Sequence, residues 1–419
     1  IFASIIHTTR HNDRSHQHIP MKPIINHFTD NDLYTFTCMY YILQKYPRAE
    51  VAYQFFDRNH TKYPQGFDAL LREQLQHMEE VVITEEEIAF MTKSFPFLPY
   101  WFINVFLRGY RFNPNELTIA QDEEGHLSIS VQGRWWSAIM WEMPILATIS
   151  ELMHTLNGDN NIYNAEHEYE KSYQKGRAIW ENGLTLGDMG TRRRFSFAHQ
   201  ERVIDALIAS YRDVVNETDG KCGKFTGTSN VYFAMKKGIP CRGTMSHQCI
   251  SFEEVVSGVI ECNYNVMNKW SEVYDGNVGI FLYDCFGDDV FFNNLSKRMA
   301  MTFSGLRIDS GVEEEQVDKI VAKYKQLGID PMTKQAVFSN GLNIERAIEI
   351  HRYCQGKITD SYGVGTFLTC DITDCKPMNI VVKLISGRIT ESREWHPCVK
   401  LSCDKGKTLG DKKKCEYLL

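Results

Sequence analysis

The 419-residue sequence contains no run of the roughly 18–20 apolar residues that a membrane-spanning helix needs, which excludes a helical membrane protein. It also lacks the common nucleotide and hydrolase fingerprints. There is no G-x-x-x-x-G-K-[ST] and hence no P-loop, no G-x-G-x-x-G opening a helix, and no G-x-S-x-G nucleophile elbow. Twelve cysteines are present, but no pair forms C-x-x-C or falls at zinc-ribbon spacing, so neither a redox motif nor a structural zinc site is predicted. In a chain this large, disulfide staples are unnecessary. The cysteines read as reduced cytosolic thiols serving mostly as small core hydrophobes, and a cytoplasmic protein is expected. An excess of positive charge is missing as well: 46 Lys+Arg face 53 Asp+Glu, a formal net charge of −7, so no nucleic-acid-binding face is predicted. No internal repeat of fixed period is evident.

What is present suits a large globular core, with 43% hydrophobic and 24% charged residues. Residues 1–20 are polar and include His7, His11, His16 and His18 without metal-site order; they read as an extension outside the fold, non-native or disordered, with Met21 as the natural start. Residues 21–134 mix helix and strand signals and are expected to form an α+β domain. Asp32 to Tyr46 suits a buried helix, Ala52 to Phe56 a strand, and Leu127 to Val131 alternates with period two. Thr84 followed by Glu85-Glu86-Glu87 reads as a helix N-cap with an acidic first turn.

From about Trp135 the texture changes to short apolar runs ending in polar turns, most followed by a helix-period stretch. The expected strand ends are Gly187-Asp188-Met189-Gly190, Thr226 to Ser229, Arg242-Gly243-Thr244, Leu282-Tyr283-Asp284, Leu306 to Asp309, Phe338-Ser339-Asn340 and Tyr362 to Thr366. Apolar stripes at Val203, Ala206, Leu207 and Tyr211, and at Val317, Ile320, Val321, Tyr324 and Leu327, mark intervening helices. Repeated β-then-α units predict a parallel sheet, and their number favours closure into an α/β barrel over 135–378, with chemistry at the mouth where the strands end. Residues 379–419 are read as a C-terminal segment returning to the first domain, with the strand-like run Ile380 to Leu384 and a basic, solvated cluster from Lys405 through Lys414.

Several groups of residues could carry chemistry. Arg192-Arg193-Arg194 places three like charges side by side, an arrangement that an anionic ligand explains through the planar guanidinium fork. Gly227-Thr228-Ser229-Asn230 precedes a helix whose N-terminus favours an anion, with an ordinary cap as the alternative. His247, just past a strand end, can act as nucleophile or base near neutral pH. Arg307 and Asp309, two apart on a strand, present a cation and a carboxylate from one face. Gly363-Val364-Gly365-Thr366 lets backbone N–H groups approach an anion.

The order of these segments resembles the nicotinate phosphoribosyltransferase family, in its bacterial branch. The matching pieces are Thr29-Asp30-x-x-x-Tyr34 with Phe36-Thr37, Gly190 to Ser196, Gly227 to Asn230, Gly243-Thr244-x-x-His247, Arg307 to Gly311, Phe338-Ser339-x-Gly341-Leu342 and Gly363 to Thr366. The resemblance implies an irregular α/β barrel of the type II phosphoribosyltransferase kind carrying an α+β domain, and a homodimer with shared active sites. It further implies an enzyme of NAD salvage that condenses nicotinate with phosphoribosyl pyrophosphate to nicotinate mononucleotide and pyrophosphate. ATP would be the co-substrate, with Mg²⁺ bound alongside the phosphorylated substrates. By the same resemblance ATP would phosphorylate His247. Thr244, and Tyr34 from a partner subunit, would contact nicotinate, and Arg307 would pair with its carboxylate. Asp309 would hold ribose hydroxyls, Gly341 and Gly365-Thr366 would cradle the 5′-phosphate, and Arg192 would face the diphosphate and the pyridine pocket; no metal ligand is implied.

Ser229 stands where the nicotinamide-using branch carries an aspartate, which favours the acid over the amide. Gln248 stands where the family usually has glutamate after the histidine, removing a carboxylate that could orient the imidazole. The alternatives are a nicotinamide-preferring transferase and a catalytically silent protein that binds nucleotide or sugar phosphate.

Overall fold

The computed structural model describes residues 21–402, 404, 408 and 410–418. The histidines of the first twenty residues and part of the basic cluster, Lys405 included, lie outside the described residues. In chain order the strands are β1 (Glu50–Asp57), β2 (Leu117–Gln121), β3 (Leu127–Arg134), β4 (Thr185–Asp188), β5 (Lys224–Thr228), β6 (Ile280–Leu282), β7 (Gly305–Ile308), β8 (Gln335–Phe338), β9 (Thr359–Val364), β10 (Ile380–Arg388) and β11 (His396–Pro397).

Two sheets result. The first is antiparallel, ordered β11-β10-β1-β3-β2, with β10 paired to β1 from Glu50↔Arg388 to Asp57↔Ile380. Val51, Tyr53 and Phe55 of β1 are buried at alternate positions, as expected when a sheet covers a core with one face. The helix Leu33–Lys45 is buried along nearly its whole length. The helix Glu85–Ser94 opens with a complete capping box between Thr84 and Glu87, as read from the sequence.

The second sheet is parallel, ordered β5-β4-β9-β8-β7-β6. Residues from all six strands, among them Thr226, Gly187, Ser361, Val337, Arg307 and Ile280, line one cavity of about 520 Å³, so the sheet curls around it as an irregular barrel. Small side chains at Gly187, Thr226 and Ser361 leave the centre hollow, unlike the filled interior of a regular eight-stranded barrel. Among the described residues no ladder joins β6 back to β5.

That gap corrects one expected strand. Arg242-Gly243-Thr244 ends no strand; the segment before it makes only the isolated parallel bridge Thr228↔Cys241. Pro240 has no N–H to donate to a ladder, and its carbonyl instead accepts from Thr228 N at 3.2 Å. The other strand ends fall at β4 to β9. Of the helical stripes, Val203, Ala206, Leu207, Val317, Ile320, Val321 and Tyr324 are buried as the periodicity predicts.

Candidate active site

At the C-terminal edge of the parallel sheet the barrel cavity adjoins a smaller one of about 70 Å³. Tyr34, Arg192 and Arg307 line both. Ser229 and Thr244 line the larger, while His247 and Asp309 line the smaller. Most residues singled out in the sequence therefore meet in one place, although they come from segments up to 275 positions apart (309 − 34).

Backbone contacts explain the convergence. Leu33 N donates to Ser229 O at 2.8 Å, fixing the start of the helix Leu33–Lys45 against the end of β5. Thr37 Oγ1 donates to Thr244 O at 2.5 Å, which ties that helix to the loop carrying His247. Gly243 lies so close that a Cβ there would meet Tyr34 N at 2.9 Å. Tyr34 lines the cavities of its own chain, because its helix docks on the end of β5. Its hydroxyl donates to Glu142 Oε2 at 2.7 Å, and Arg192 Nη1 lies 3.5 Å from Glu142 Oε1.

Arg307 and Asp309 do emerge from one face of β7, and Ser339 joins them. Arg307 Nε donates to Ser339 Oγ at 2.7 Å, and Ser339 Oγ donates to Asp309 Oδ1 at 2.8 Å. Burial alone would raise Asp309, but Arg307, Lys400 and His247 outweigh it and hold its carboxyl below the usual range.

His247 sits among charges that the sequence did not reveal as partners. Its Nε2 lies 2.9 Å from Asp284 Oδ1 and 2.9 Å from Lys400 Nζ, and its Nδ1 lies 4.0 Å from Asp309 Oδ2. Burial pushes the imidazole pKa down to about 4, with Lys400 adding to the effect and Asp284 opposing it in part. Nε2 can donate to Asp284 or accept from Lys400 but not both at once; with the proton on Nε2 the carboxylate orients the ring, and the Lys400 ammonium also faces Asp284 Oδ2 at 3.5 Å. Burial would raise Asp284, but His247 and Lys400 outweigh it and keep the carboxyl well below its usual range.

The expected loss of an orienting carboxylate beside the histidine is corrected here. Asp284, at the end of β6, supplies it, while Gln248 accepts from the Tyr53 hydroxyl and from Trp135 Nε1 and donates to Ser246 Oγ at 2.9 Å.

Glu142, Lys383 and Lys400 also line the smaller cavity, and the sequence analysis did not single them out. Lys383 lies on β10, one of the few polar positions in an apolar strand; that inward break in the pattern was the available signal. Burial lowers its pKa to about 8, with Arg192 and Lys400 contributing and Glu142 opposing. The arginine run divides. Arg192 faces the cavities, Arg193 Nε donates to Ile380 O at 2.8 Å, and Arg194 is fully buried with both terminal nitrogens on Asp30 at 2.7 Å. Arg194 was thus gathered by the protein and not by a ligand.

Gly341 and Gly365-Thr366 follow the neighbouring strands β8 and β9 but belong to neither lining. Gly365 has a packing role, since a Cβ there would meet Met189 O at 2.9 Å. His247, Asp284 and Asp309 bring one imidazole nitrogen and two carboxylates within 4.8 Å of one another. Two carboxylates suit a hard cation such as Mg²⁺, which favours oxygen ligands and keeps much of its water, whereas the Lys400 ammonium already offsets their charge.

The sequence pattern of the nicotinate phosphoribosyltransferase family matches residues 184–418, and that of the family's N-terminal domain matches residues 29–150. Curated nicotinate phosphoribosyltransferases include one from Desulforapulum autotrophicum, 36% identical over 94% of this chain and 98% of its own. Another, from Chromohalobacter salexigens, is 34% identical over 93% and 96%. Among solved structures, the nicotinate phosphoribosyltransferase of Porphyromonas gingivalis superposes with a TM-score of 0.89 at 38% identity, covering 94% of this chain and 98% of that one. The Vibrio cholerae enzyme of the same name gives 0.78 at 27% identity over 94% and 93%.

Proposed function

The chain belongs to the nicotinate phosphoribosyltransferase family, and from that premise we propose that it condenses nicotinate with phosphoribosyl pyrophosphate to nicotinate mononucleotide and pyrophosphate, the entry of nicotinate into NAD salvage. The observation that carries this is the shared lining: the Arg192 and Arg307 guanidiniums join the larger barrel cavity beside Tyr34 to a smaller, charge-rich one lined by Asp309, Lys383 and Lys400.

Breaking the C1–O bond of the sugar diphosphate builds positive charge on ribose while pyrophosphate departs, so fixed cations on the leaving group and a carboxylate near ribose lower the barrier. Arg192, Lys383 and Lys400 hold the diphosphate in this reading, and Asp309 the ribose hydroxyls. Arg307 takes the nicotinate carboxylate, and Tyr34 and Thr244 place the ring so that its nitrogen faces C1. Gly341 and Gly365-Thr366 receive the 5′-phosphate. Asp284 and Asp309 would be the carboxylates to hold a Mg²⁺ ion, which would supply charge neutralisation to the diphosphate.

ATP coupling runs through His247: the neutral imidazole attacks the terminal phosphorus, ADP leaves, and Lys400 offsets the charge of the phosphoryl group formed on the ring. A homodimer with shared active sites remains part of the family expectation.

Pyrophosphate release with nicotinate, sugar diphosphate and Mg²⁺, measured with and without ATP, tests the reaction. Release is expected in both cases and faster with ATP; no release with all substrates present would leave a silent binding protein. His247→Ala is expected to lose labelling by ATP and ATP stimulation while retaining slow transfer.

A further inference from the structure

Arg192, Lys383 and Lys400 of the smaller cavity receive the diphosphate in the reading above, yet Glu142 places a carboxylate in the same wall. The other carboxylate of that lining, Asp309, has the ribose hydroxyls to hold. No substrate group falls to Glu142, which at 7% exposure lies too deep to be an ordinary surface charge. A fixed carboxylate close to a bound diphosphate weakens its binding, so the role of Glu142 must lie elsewhere.

Its two oxygens are divided between two walls of the site. Oε2 accepts from the Tyr34 hydroxyl at 2.7 Å, and Oε1 lies 3.5 Å from Arg192 Nη1. Tyr34 and Arg192 both line the two cavities, and the central carbon of the Arg192 guanidinium lies 6.0 Å from the centre of the Tyr34 ring. Glu142 thus stands where the cavities adjoin and ties the helix Leu33–Lys45 to the turn after β4. Burial, with Glu142 and Asp32 adding to it and Arg192 opposing, pushes the Tyr34 pKa up, so the phenol keeps the proton that it donates. The mount is rigid, because Glu142 opens the helix Glu142–Leu156, which is buried along most of its length. That helix is fastened to the arginine run by other bonds: Ser150 Oγ donates to Arg194 O at 2.8 Å, and Phe197 N donates to Glu151 Oε2 at 2.9 Å. Docking of the helix therefore does not depend on Glu142.

We propose that Glu142 is a positioning residue that fixes Tyr34 and Arg192 relative to each other for the pyridine ring, while weakening the hold on the sugar diphosphate. The proposal rests on the assignment of the two cavities to those two substrates. It gives the substrates opposite responses, because loss of the carboxylate releases Tyr34 and at the same time removes a negative charge from around the diphosphate. General damage to the fold moves both KM values the same way.

The test is steady-state kinetics of the full chain, each substrate varied in turn, at about pH 6, where Lys383 with its pKa of about 8 stays charged. Glu142→Ala is expected to raise the KM for nicotinate about tenfold, the worth of one placing hydrogen bond, and to lower the KM for the sugar diphosphate about threefold. Glu142→Gln keeps an oxygen for the Tyr34 hydroxyl and loses only the charge. Its KM for nicotinate is expected to stay within about threefold of the unaltered chain, while that for the sugar diphosphate still falls. In a Tyr34→Phe background, Glu142→Ala is expected to add less than about twofold to the KM for nicotinate, as coupling through the hydroxyl requires. A KM for nicotinate unmoved by Glu142→Ala overturns the proposal, as does a rise in both KM values in both variants or a full rise that persists without the Tyr34 hydroxyl. Loss of the fold in both variants overturns it as well, since Glu142 would then be structural. Failure of the unaltered chain to turn over nicotinate would instead defeat the assignment of the reaction itself.

Discussion

Two polar regions meet at the turn after β4 and are built on opposite principles. On the inner side, Asp30, Asp188, Arg194, Gln200, Thr228 and Asn230 are buried and bond to one another: Arg194 grips both oxygens of Asp30, Asn230 Nδ2 donates to Asp30 at 2.8 Å, and Gln200 and Thr228 donate to Asp188 at 3.0 and 2.7 Å. Only the Arg194 Nε is left without a partner in that group. On the outer side Arg192, Arg307, Lys383 and Lys400 line open volume together with Glu142 and Asp309, Asp284 lies beside Lys400, and burial lowers the pKa of Lys383 in spite of Glu142. Saturated bonding gives rigidity; unsaturated cation capacity gives an anion somewhere to bind. The same arginine run serves both, which shows that adjacent residues of one type need not share a purpose.

The comparison can be broken from either side. Asp30→Asn leaves Arg194 charged and buried without its counter-charge and is expected to cost about 3–5 kcal/mol in urea unfolding; a loss below about 1 kcal/mol would show that the inner network is not structural. Arg307→Ala is expected to reduce kcat/KM for transfer by about 10²–10³ while the unfolding midpoint stays within the range of surface substitutions. A fall in stability equal to that of Asp30→Asn would place Arg307 in the inner class instead.

For the outer region alone, Lys383 loses its proton as pH rises through about 8. The KM for the sugar diphosphate is therefore expected to rise roughly three- to tenfold between pH 7 and 9, and Lys383→Arg to flatten that rise, since arginine stays charged. The smallest effect belongs to a feature remote from both regions: Thr84→Ala removes half of the capping box and is expected to destabilise by about 1 kcal/mol with unaltered kinetics.

Legibility in the sequence follows the range of the interaction concerned. Thr84, the helical stripes and strands such as β1 and β3 were readable because each depends on neighbours within a few positions: a cap on the next turn, or alternation along one strand. Arg307 and Asp309 were readable as a pair for the same reason, being two apart on β7. Ser229 shows where such reading stops. Its residue type argued for an uncharged pocket wall, yet Asp32, 197 positions earlier (229 − 32), holds its proton. Lys383 was marked only by its break in the apolar run of β10, Lys400 carried no local pattern that distinguished it from other lysines, and Asp284 marked a strand end without showing that it faces His247.

The sequence by itself determined the order of strands and helices, the family and the motif residues, because periodicity, turn chemistry and short spacings act within segments. Only the tertiary structure decided which charges share a cavity and which cancel: the curl of the parallel sheet, the docking of Leu33–Lys45 on β5 and the pairing of β10 with β1 bring together groups hundreds of residues apart. A side chain's charge state and hydrogen-bond direction depend on what lies within a few ångströms, and that distance is set by packing and not by position along the chain.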